Sequence, residues 1–291
     1  MTTNNPEELG TLALEAMLIE VSVTPKPGLV DRNNSGAHHD MNFFTFLRSA
    51  ASLRSSFEEF ARAGFVGGSR NFSPAQVFPL IRKIGLEAEK RMFAATDGIN
   101  THKGEIFSLG LLSSCAGFLT GKSETLTAEK VMTLASEMCH GICEKDFAGV
   151  RNKKTLTKGE RVYLEHGITG IRGEAEAGYP AVRDVGLPAL RKYLADGLSL
   201  NDALAFTLIH IMANAQDTNI ISRHDLKTAE IVMKRAEKIL AENSGLDGIR
   251  ELDREFIAEY ISPGGSGDLL AVTYFLQRLE FREDDNTMLK V

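Results

Sequence analysis

The residues best suited to chemistry lie in segments where Gly, Asn, Asp, His, Lys and Arg are mixed densely. Thr24 to Asp40 reads T-P-K-P-G-L-V-D-R-N-N-S-G-A-H-H-D. Its prolines bar a helix, and Lys26 and Arg32 put cationic donors on a stiff chain, which suits a phosphate. Asp97 to Phe107, D-G-I-N-T-H-K-G-E-I-F, places Asn100 or Thr101 to cap a helix that begins near Lys103. Lys103 and the backbone N–H groups there suit an anion, and His102 and Glu105 are proton-transfer candidates. A basic run, Arg151, Lys153, Lys154, Lys158 and Arg161, leads into His166 to Pro180, which carries Arg172, Glu174 and Glu176. It reads as a flap for a polyanion or as a solvated basic face.

Asn214 to Asp225, N-A-Q-D-T-N-I-I-S-R-H-D, follows the most apolar helix of the chain. Asp217 and Asn219 have the chemistry to hold Mg²⁺ alongside water and phosphate oxygens, and Arg223 can pair with phosphate. Ser262 to Asp268, S-P-G-G-S-G-D, precedes the last helix. Gly264, Gly265 and Ser266 allow a close backbone approach to an anion. The Gly-Lys-Ser/Thr ending of a Walker loop is missing. His140 and His210 read as structural helix residues, His224 as a surface residue, and Phe43, Phe44 and Phe46 as core aromatics.

The elements that must position these residues are helical. Helical periodicity runs through Leu9 to Val23, Met41 to Ala63, Pro74 to about Ala95, Lys103 to Leu119, Thr127 to Asp146, Ala203 to Ala215, Leu252 to Ile261 and Leu269 to Leu279. A further apolar stripe, Ala229, Val232, Met233, Ala236 and Leu240, lies on a charged helix. Thr157 with Glu160, and Ser199 with Asp202, have helix-start spacing. No hairpin signature or alternating strand pattern stands out, so the fold class is all-α, a single domain over residues 1–291 with about ten or more helices.

The chain has 291 residues, with 33 Lys and Arg against 39 Asp and Glu, a formal charge of -6. That balance argues against a nucleic-acid binder or an anionic-membrane binder. The uncharged stretch Ile106 to Gly121 is too short for a membrane span and reads as a buried helix. Cys115, Cys139 and Cys143 form no disulfide framework, and a reducing cytoplasm fits. No signal peptide is visible at the N-terminus.

Taken together, E-V-S-V-T-P-K-P-G-L-V-D-R-N-N-S-G from Glu20, G-I-N-T-H-K-G-E-I-F-S-L-G from Gly98, K-T-L-T-K-G-E-R from Lys154, G-I-R-G-E-A-E-A-G-Y-P from Gly170, D-T-N-I-I-S-R from Asp217 and the terminal P-G-G-S-G-D-L-L-A resemble the triphosphoribosyl-dephospho-CoA synthases. The resemblance spans about Glu20 to Ala271. It implies transfer of the triphosphoribosyl group of ATP to the 2′-hydroxyl of 3′-dephospho-CoA, with loss of adenine. The product would pass to a holo-acyl-carrier-protein synthase serving citrate lyase or malonate decarboxylase.

For that reaction, charge and position assign phosphate contacts to Lys26, Arg32, Lys103, Arg172 and Arg223, with backbone approach at Gly264, Gly265 and Ser266. Asp217, Asn219 or Glu105 would hold Mg²⁺. Glu174 or His102 would be the base, with Glu20 as an outside candidate and Glu105 as a further catalytic group. Two other readings stay open: a Mg²⁺-dependent helical hydrolase of an N-glycosyl or nucleotide compound, and a non-enzymatic helical binding protein. Self-association is left open.

Overall fold

The computed structural model describes residues 5–281 and is all-α, with 14 α-helices and no strand among them. The chain forms two compact units. Residues 5–22, 40–140 and 271–281 belong to the first, and residues 23–39 and 141–270 to the second.

The first unit is built on α1 (Pro6–Ser22), α2 (Phe43–Ser69), α3 (Pro74–Ala95), α4 (Lys103–Gly121) and α5 (Ala128–Met138). α2 starts at a reciprocal cap, Asn42 with Thr45, and α3 at Ser73 with Gln76, Pro74 taking the first turn. α4 is buried on almost every side from Ile106 to Leu119, which is why it shows no polar face in the sequence. It packs closely on α2 because glycines line the crossing. A methyl at Gly64 would fall on the Ser114 carbonyl oxygen, one at Gly68 on that of Phe118, and one at Gly117 on that of Ala61. The C-terminal helix α14 (Gly264–Glu280) is stitched to this unit by its last turns. The Tyr274 hydroxyl donates to Glu15 at 2.5 Å, Arg278 pairs with the same carboxylate at 3.2 Å, and Glu280 accepts from the Ala128 N–H at 2.7 Å.

The second unit carries α6 (Ile142–Phe147), a short turn at Val150–Asn152, α7 (Lys158–His166), α8 (Ile171–Glu176), a wide turn at Ala181–Gly186 that runs into α9 (Leu187–Ala195), then α10 (Leu200–Asn214), α11 (Thr218–Arg223), α12 (Leu226–Ala241) and α13 (Gly245–Ala258). Its centre is α10, apolar on nearly all faces and packed by α9, α12 and α13.

Several boundaries differ from the sequence expectation. The helix expected over Thr127 to Asp146 is two, because Gly141 takes φ 74°, a left-handed turn no helix continues through. His140 therefore lies past the helix end and is exposed. The last helix begins at Gly264, inside the glycine turn, and not at Leu269. Phe44 is 71% exposed and Phe43 and Phe46 are partly covered, so these are not core aromatics. No helix among the described residues is long and apolar enough to cross a membrane. None of the three cysteines is in a disulfide, and Cys115 and Cys139 are buried.

Candidate functional site

In the first unit the candidate residues gather at the start of α4. His102 is fully buried, and its Nδ1 lies 2.7 Å from the Ser49 hydroxyl of α2. The Thr101 hydroxyl donates to that same Ser49 oxygen at 2.7 Å. The ring meets Phe46 edge-on, with centroids 4.7 Å apart, and the His102 backbone N–H points at the Met92 sulfur of α3. Asn100 accepts from the Lys103 N–H at 3.2 Å, while Thr101 turns to Ser49 and makes no cap. Lys103 is half exposed and its ammonium pairs with Glu89 of α3 at 2.8 Å. Glu105 is buried in the first turn of α4, and Glu20 is buried on α1.

In the second unit Asp217 is the organising residue. It is the N-cap of α11: its Oδ1 accepts from the Asn219 N–H at 2.9 Å and, at 3.4 Å, from that of Ile220. Its Oδ2 accepts from the Ser266 N–H at 2.8 Å and the Ser266 hydroxyl at 3.1 Å. One carboxylate thus caps two helices, α11 and α14. A methyl on Gly265 would press on this carboxylate and one on Gly264 on the Asn219 amide, so the glycines are small because the protein's own side chains fill the space. Burial raises the Asp217 pKa, against the pull of these donors.

This geometry bears on two expectations. The four lone-pair positions of a carboxylate are spent here on backbone and hydroxyl donors, so Asp217 has none to give a cation. The anion position at the start of α14 is taken by Asp217 itself, and the Ser266 donors are committed to it. Among the described residues no group of three or more His, Cys, Asp or Glu side chains is placed to hold a metal ion. The donor set at Asp217 and Asn219, as folded, does not fit Mg²⁺.

The loop over residues 23–39 is braced from α13. Asp253 accepts from the Gly28 N–H and from the Asn34 side-chain amide, both at 2.9 Å. Asp31 accepts from the N–H groups of Asn33 and Asn34 at 2.7 and 2.8 Å through Oδ1. Its Oδ2 is buried with no partner among the described residues. Burial above all, with the Asp31 charge as a smaller cause, raises the Asp253 pKa. Lys26 is buried, whereas Arg32 is exposed and makes no ion pair among the described residues. At the far end of the loop His38 Nε2 meets the Ser262 hydroxyl at 2.8 Å.

Glu174, on α8, is partly buried and accepts from the Ala181 N–H at 3.2 Å. Burial raises its pKa, with the Ala181 bond opposing. Arg172 pairs with Asp146 at 2.8 Å and lies over the Phe147 ring, which stacks on Tyr163 at 3.9 Å. Glu176 receives the N–H groups of Gly141 and Cys143 and so caps α6. The basic segment is ordered into α7, with the reciprocal cap of Thr157 and Glu160 and a Lys153–Glu160 pair; Arg151, Lys154, Lys158 and Arg161 remain exposed. Arg223 ends α11, exposed and without an ion pair among the described residues, and His224 binds the Tyr260 carbonyl oxygen. His210 is hydrogen-bonded to the Tyr193 hydroxyl at 3.0 Å. Asp31, Asp253 and Ser49 were passed over in the sequence. Asp31 stood in a motif read for its cations, and nothing local in the sequence pairs Ser49 with a residue 53 positions away.

The family described as ATP:dephospho-CoA triphosphoribosyl transferase matches residues 6–287, nearly the whole chain. The protein belongs to this family. Among its relatives is a protein of Vibrio cholerae serotype O1 named probable 2-(5''-triphosphoribosyl)-3'-dephosphocoenzyme-A synthase, 39% identical over 283 residues, covering 96% of this chain and 90% of the relative. The 2-(5''-triphosphoribosyl)-3'-dephosphocoenzyme-A synthase of Klebsiella pneumoniae is 38% identical, over 93% of this chain and 90% of its own. The protein of the same name from Pectobacterium atrosepticum is 40% identical, over 90% and 85%. No solved structure matches.

Proposed function

We propose that this transferase moves the triphosphoribosyl group of ATP to the 2′-hydroxyl of 3′-dephospho-CoA and releases adenine. The observation that carries the reading is the match over residues 6–287, joined to relatives near 40% identity that bear this name. The bond from C1′ of the ATP ribose to adenine breaks, a bond from C1′ to the acceptor oxygen forms, and the proton of the acceptor hydroxyl is balanced by one delivered to adenine. The transition state is oxocarbenium-like, so the protein's tasks are to hold the triphosphate, accept one proton and donate another.

Arg32 and Arg223 suit the triphosphate, being exposed and uncommitted to a carboxylate among the described residues. Lys103 suits it too, by exchanging Glu89 for phosphate. Lys26 and Arg172 are weaker candidates, the first buried and the second bound to Asp146. Glu174 suits the base, because burial moves its pKa toward the working range. Mg²⁺ enters this reading as part of the nucleotide substrate, with water and phosphate oxygens as its ligands. Asp217, Asn219 and the Gly264–Ser266 turn serve as scaffold.

The single domain belongs to this proposal as well. One family runs through residues 6–287, and among the described residues the chain passes between the two units four times, after residues 22, 39, 140 and 270. We place the enzyme in the cytoplasm, handing its product to an acyl-carrier-protein synthase of a citrate lyase or malonate decarboxylase system.

The test is adenine release from MgATP with and without 3′-dephospho-CoA, with mass spectrometry of the CoA product. Adenine that appears only with the acceptor, and a product heavier by one triphosphoribosyl group, is the expected result. Adenine without acceptor would make the protein a hydrolase. Lys103→Ala is expected to abolish release while the circular dichroism spectrum is kept; wild-type turnover would remove Lys103 from the site.

A further inference from the structure

Three charged side chains stand on α8, and two of them are spent on structure. Arg172 pairs with Asp146, and Glu176 receives the N–H groups that open α6. Glu174 has one bond among the described residues, from the Ala181 N–H to its Oε2 at 3.2 Å. A backbone N–H can only donate, so the direction of this bond is fixed. The chain between Glu174 and Ala181 is bent into an unusual shape to make it. Gly178 and Tyr179 both take positive φ, 74° and 54°. Glycine does so freely, whereas a tyrosine there is strained and stays only where its surroundings impose it. The Tyr179 side chain is fully buried. Its N–H donates to the Glu174 carbonyl oxygen at 2.6 Å, and its own carbonyl oxygen accepts from Val182 and Arg183 at 3.0 and 2.8 Å. Pro180 then fixes the step to Ala181, with φ -57° and ψ -38°.

We propose that Tyr179 is a positioning residue for Glu174: its buried ring holds the left-handed turn that sets the Ala181 N–H on Oε2 and leaves Oε1 as the oxygen that receives a proton. This rests on the reading of Glu174 as the base of the transfer. Oε1 takes the proton of the acceptor hydroxyl as that oxygen bonds to C1′, and the C–N pair leaves with adenine. The carboxyl proton then passes to solvent, while adenine gains one from it. The clamp supplies orientation, since a carboxylate held at one oxygen presents the other in a fixed direction.

The bond is read by nuclear magnetic resonance of ¹⁵N-alanine-labelled protein, with the Ala181 signal assigned by its loss in Ala181→Gly. Burial raises the Glu174 pKa; the Ala181 bond and Arg183 lower it, and Asp184 raises it. Arg183 and Asp184 are paired with each other, and on α6, which packs against α8, Glu144 and Lys145 are exposed. The Ala181 amide proton is expected to move downfield as Glu174 ionises, with a midpoint above the ordinary glutamate value of about 4.3, and to lose that step in Glu174→Gln. A signal that does not titrate, or that titrates alike in Glu174→Gln, overturns the proposal.

Tyr179→Leu keeps an apolar side chain without the ring, and Tyr179→Phe keeps the ring. Loosening the clamp removes a bond that lowers the Glu174 pKa. In Tyr179→Leu the Ala181 midpoint and the acidic limb of kcat/KM are therefore expected to rise together by about 0.5–1 pH unit. Its kcat should fall by about 10- to 100-fold with KM within about twofold. Tyr179→Phe should restore both. An unmoved limb in folded Tyr179→Leu would make Tyr179 merely structural, and Tyr179→Phe behaving like Tyr179→Leu would deny that the ring holds the turn. Should Tyr179→Leu not fold, Gly178→Ala, which strains the same turn, carries the same expectation. The resonance titration needs no substrate. Wild-type protein that releases no adenine would sink the transfer reading, while the Ala181 titration would still decide the clamp.

Discussion

Asp217 is a single carboxylate that satisfies donors at the starts of α11 and α14. Its loss would undo two caps and leave the buried Ser266 N–H and hydroxyl unmatched. A cap is worth about 1 kcal/mol and an unmatched buried donor about 1–3 kcal/mol, so Asp217→Ala should cost about 2–4 kcal/mol in urea unfolding. A cost under about 0.5 kcal/mol would refute the double-cap account. Asp31 carries the opposite expectation. Its Oδ2 is buried without a partner among the described residues, and Asp253 lies near enough to feel its charge. Asp31→Asn can keep the Asx turn through its carbonyl oxygen, and it is expected to hold or raise the melting temperature. A clear fall in melting temperature would show that the negative charge is itself part of the loop's support. In the sequence, both residues could be seen only as acids in rich loops. Asp217 meets Ser266, 49 residues away, and the loop that holds Asp31 is braced by a bond from Asn34 to Asp253 across 219 residues, separations at which no local spacing speaks.

At the scale of elements, the legible features were those written into adjacent residues. The Thr157–Glu160 and Ser199–Asp202 starts form as read, and Pro74 opens α3. The long apolar run in α4 is buried as expected, since a helix hidden on every side needs no polar face. The misread elements are those whose ends depend on a partner. Gly264 to Asp268 resembles a loop because glycine weakens a helix by about 1 kcal/mol per residue. It is helical here because Asp217 caps it from another element. The glycines of the α2–α4 crossing teach the same lesson, since their spacing in α2 looks only like poor helix propensity. Gly64→Ala should gain about 1 kcal/mol of propensity and lose more to the Ser114 carbonyl, for a net loss of up to about 2 kcal/mol in thermal or chemical unfolding. Gly159→Ala, with open space around it on α7, serves as the control and should not destabilise. Equal stability changes at the two positions would deny that the crossing is close-packed.

For the molecule as a whole, the carboxyl groups pull stability in two directions with pH. Glu174, Asp217 and Asp253 have pKa values raised by burial, so the folded chain keeps protons that the unfolded chain has released. Their contribution is complete below the unfolded pKa values near 4 and is lost as pH rises through the folded ones. Glu160 acts the other way. Its hydrogen bonds with Lys153, then Thr157, lower its pKa to about 2, so its contribution is present above pH ~4.3 and disappears as pH falls toward 2. Unfolding midpoints across pH 4 to 7 should show a shallower decline in Glu174→Gln than in the parent; parallel curves would mean that Glu174 is not linked to folding. Fold class was open to reading from the sequence because helical periodicity is local. The separation into two units was not, because the segments that share a unit lie far apart in the chain.

The stitching of α14 to α1 sets an order in time. The first unit holds residues near both ends of the described chain, with Glu15 joined to Tyr274 and Arg278. A ribosome adds about 5–20 residues per second, so the interval between making Glu15 and making its partners is tens of seconds. Through that interval α1 exists without the helix to which Glu15 is joined. The unit made first is therefore the unit finished last, and the need for chaperones during synthesis falls on the beginning of the chain.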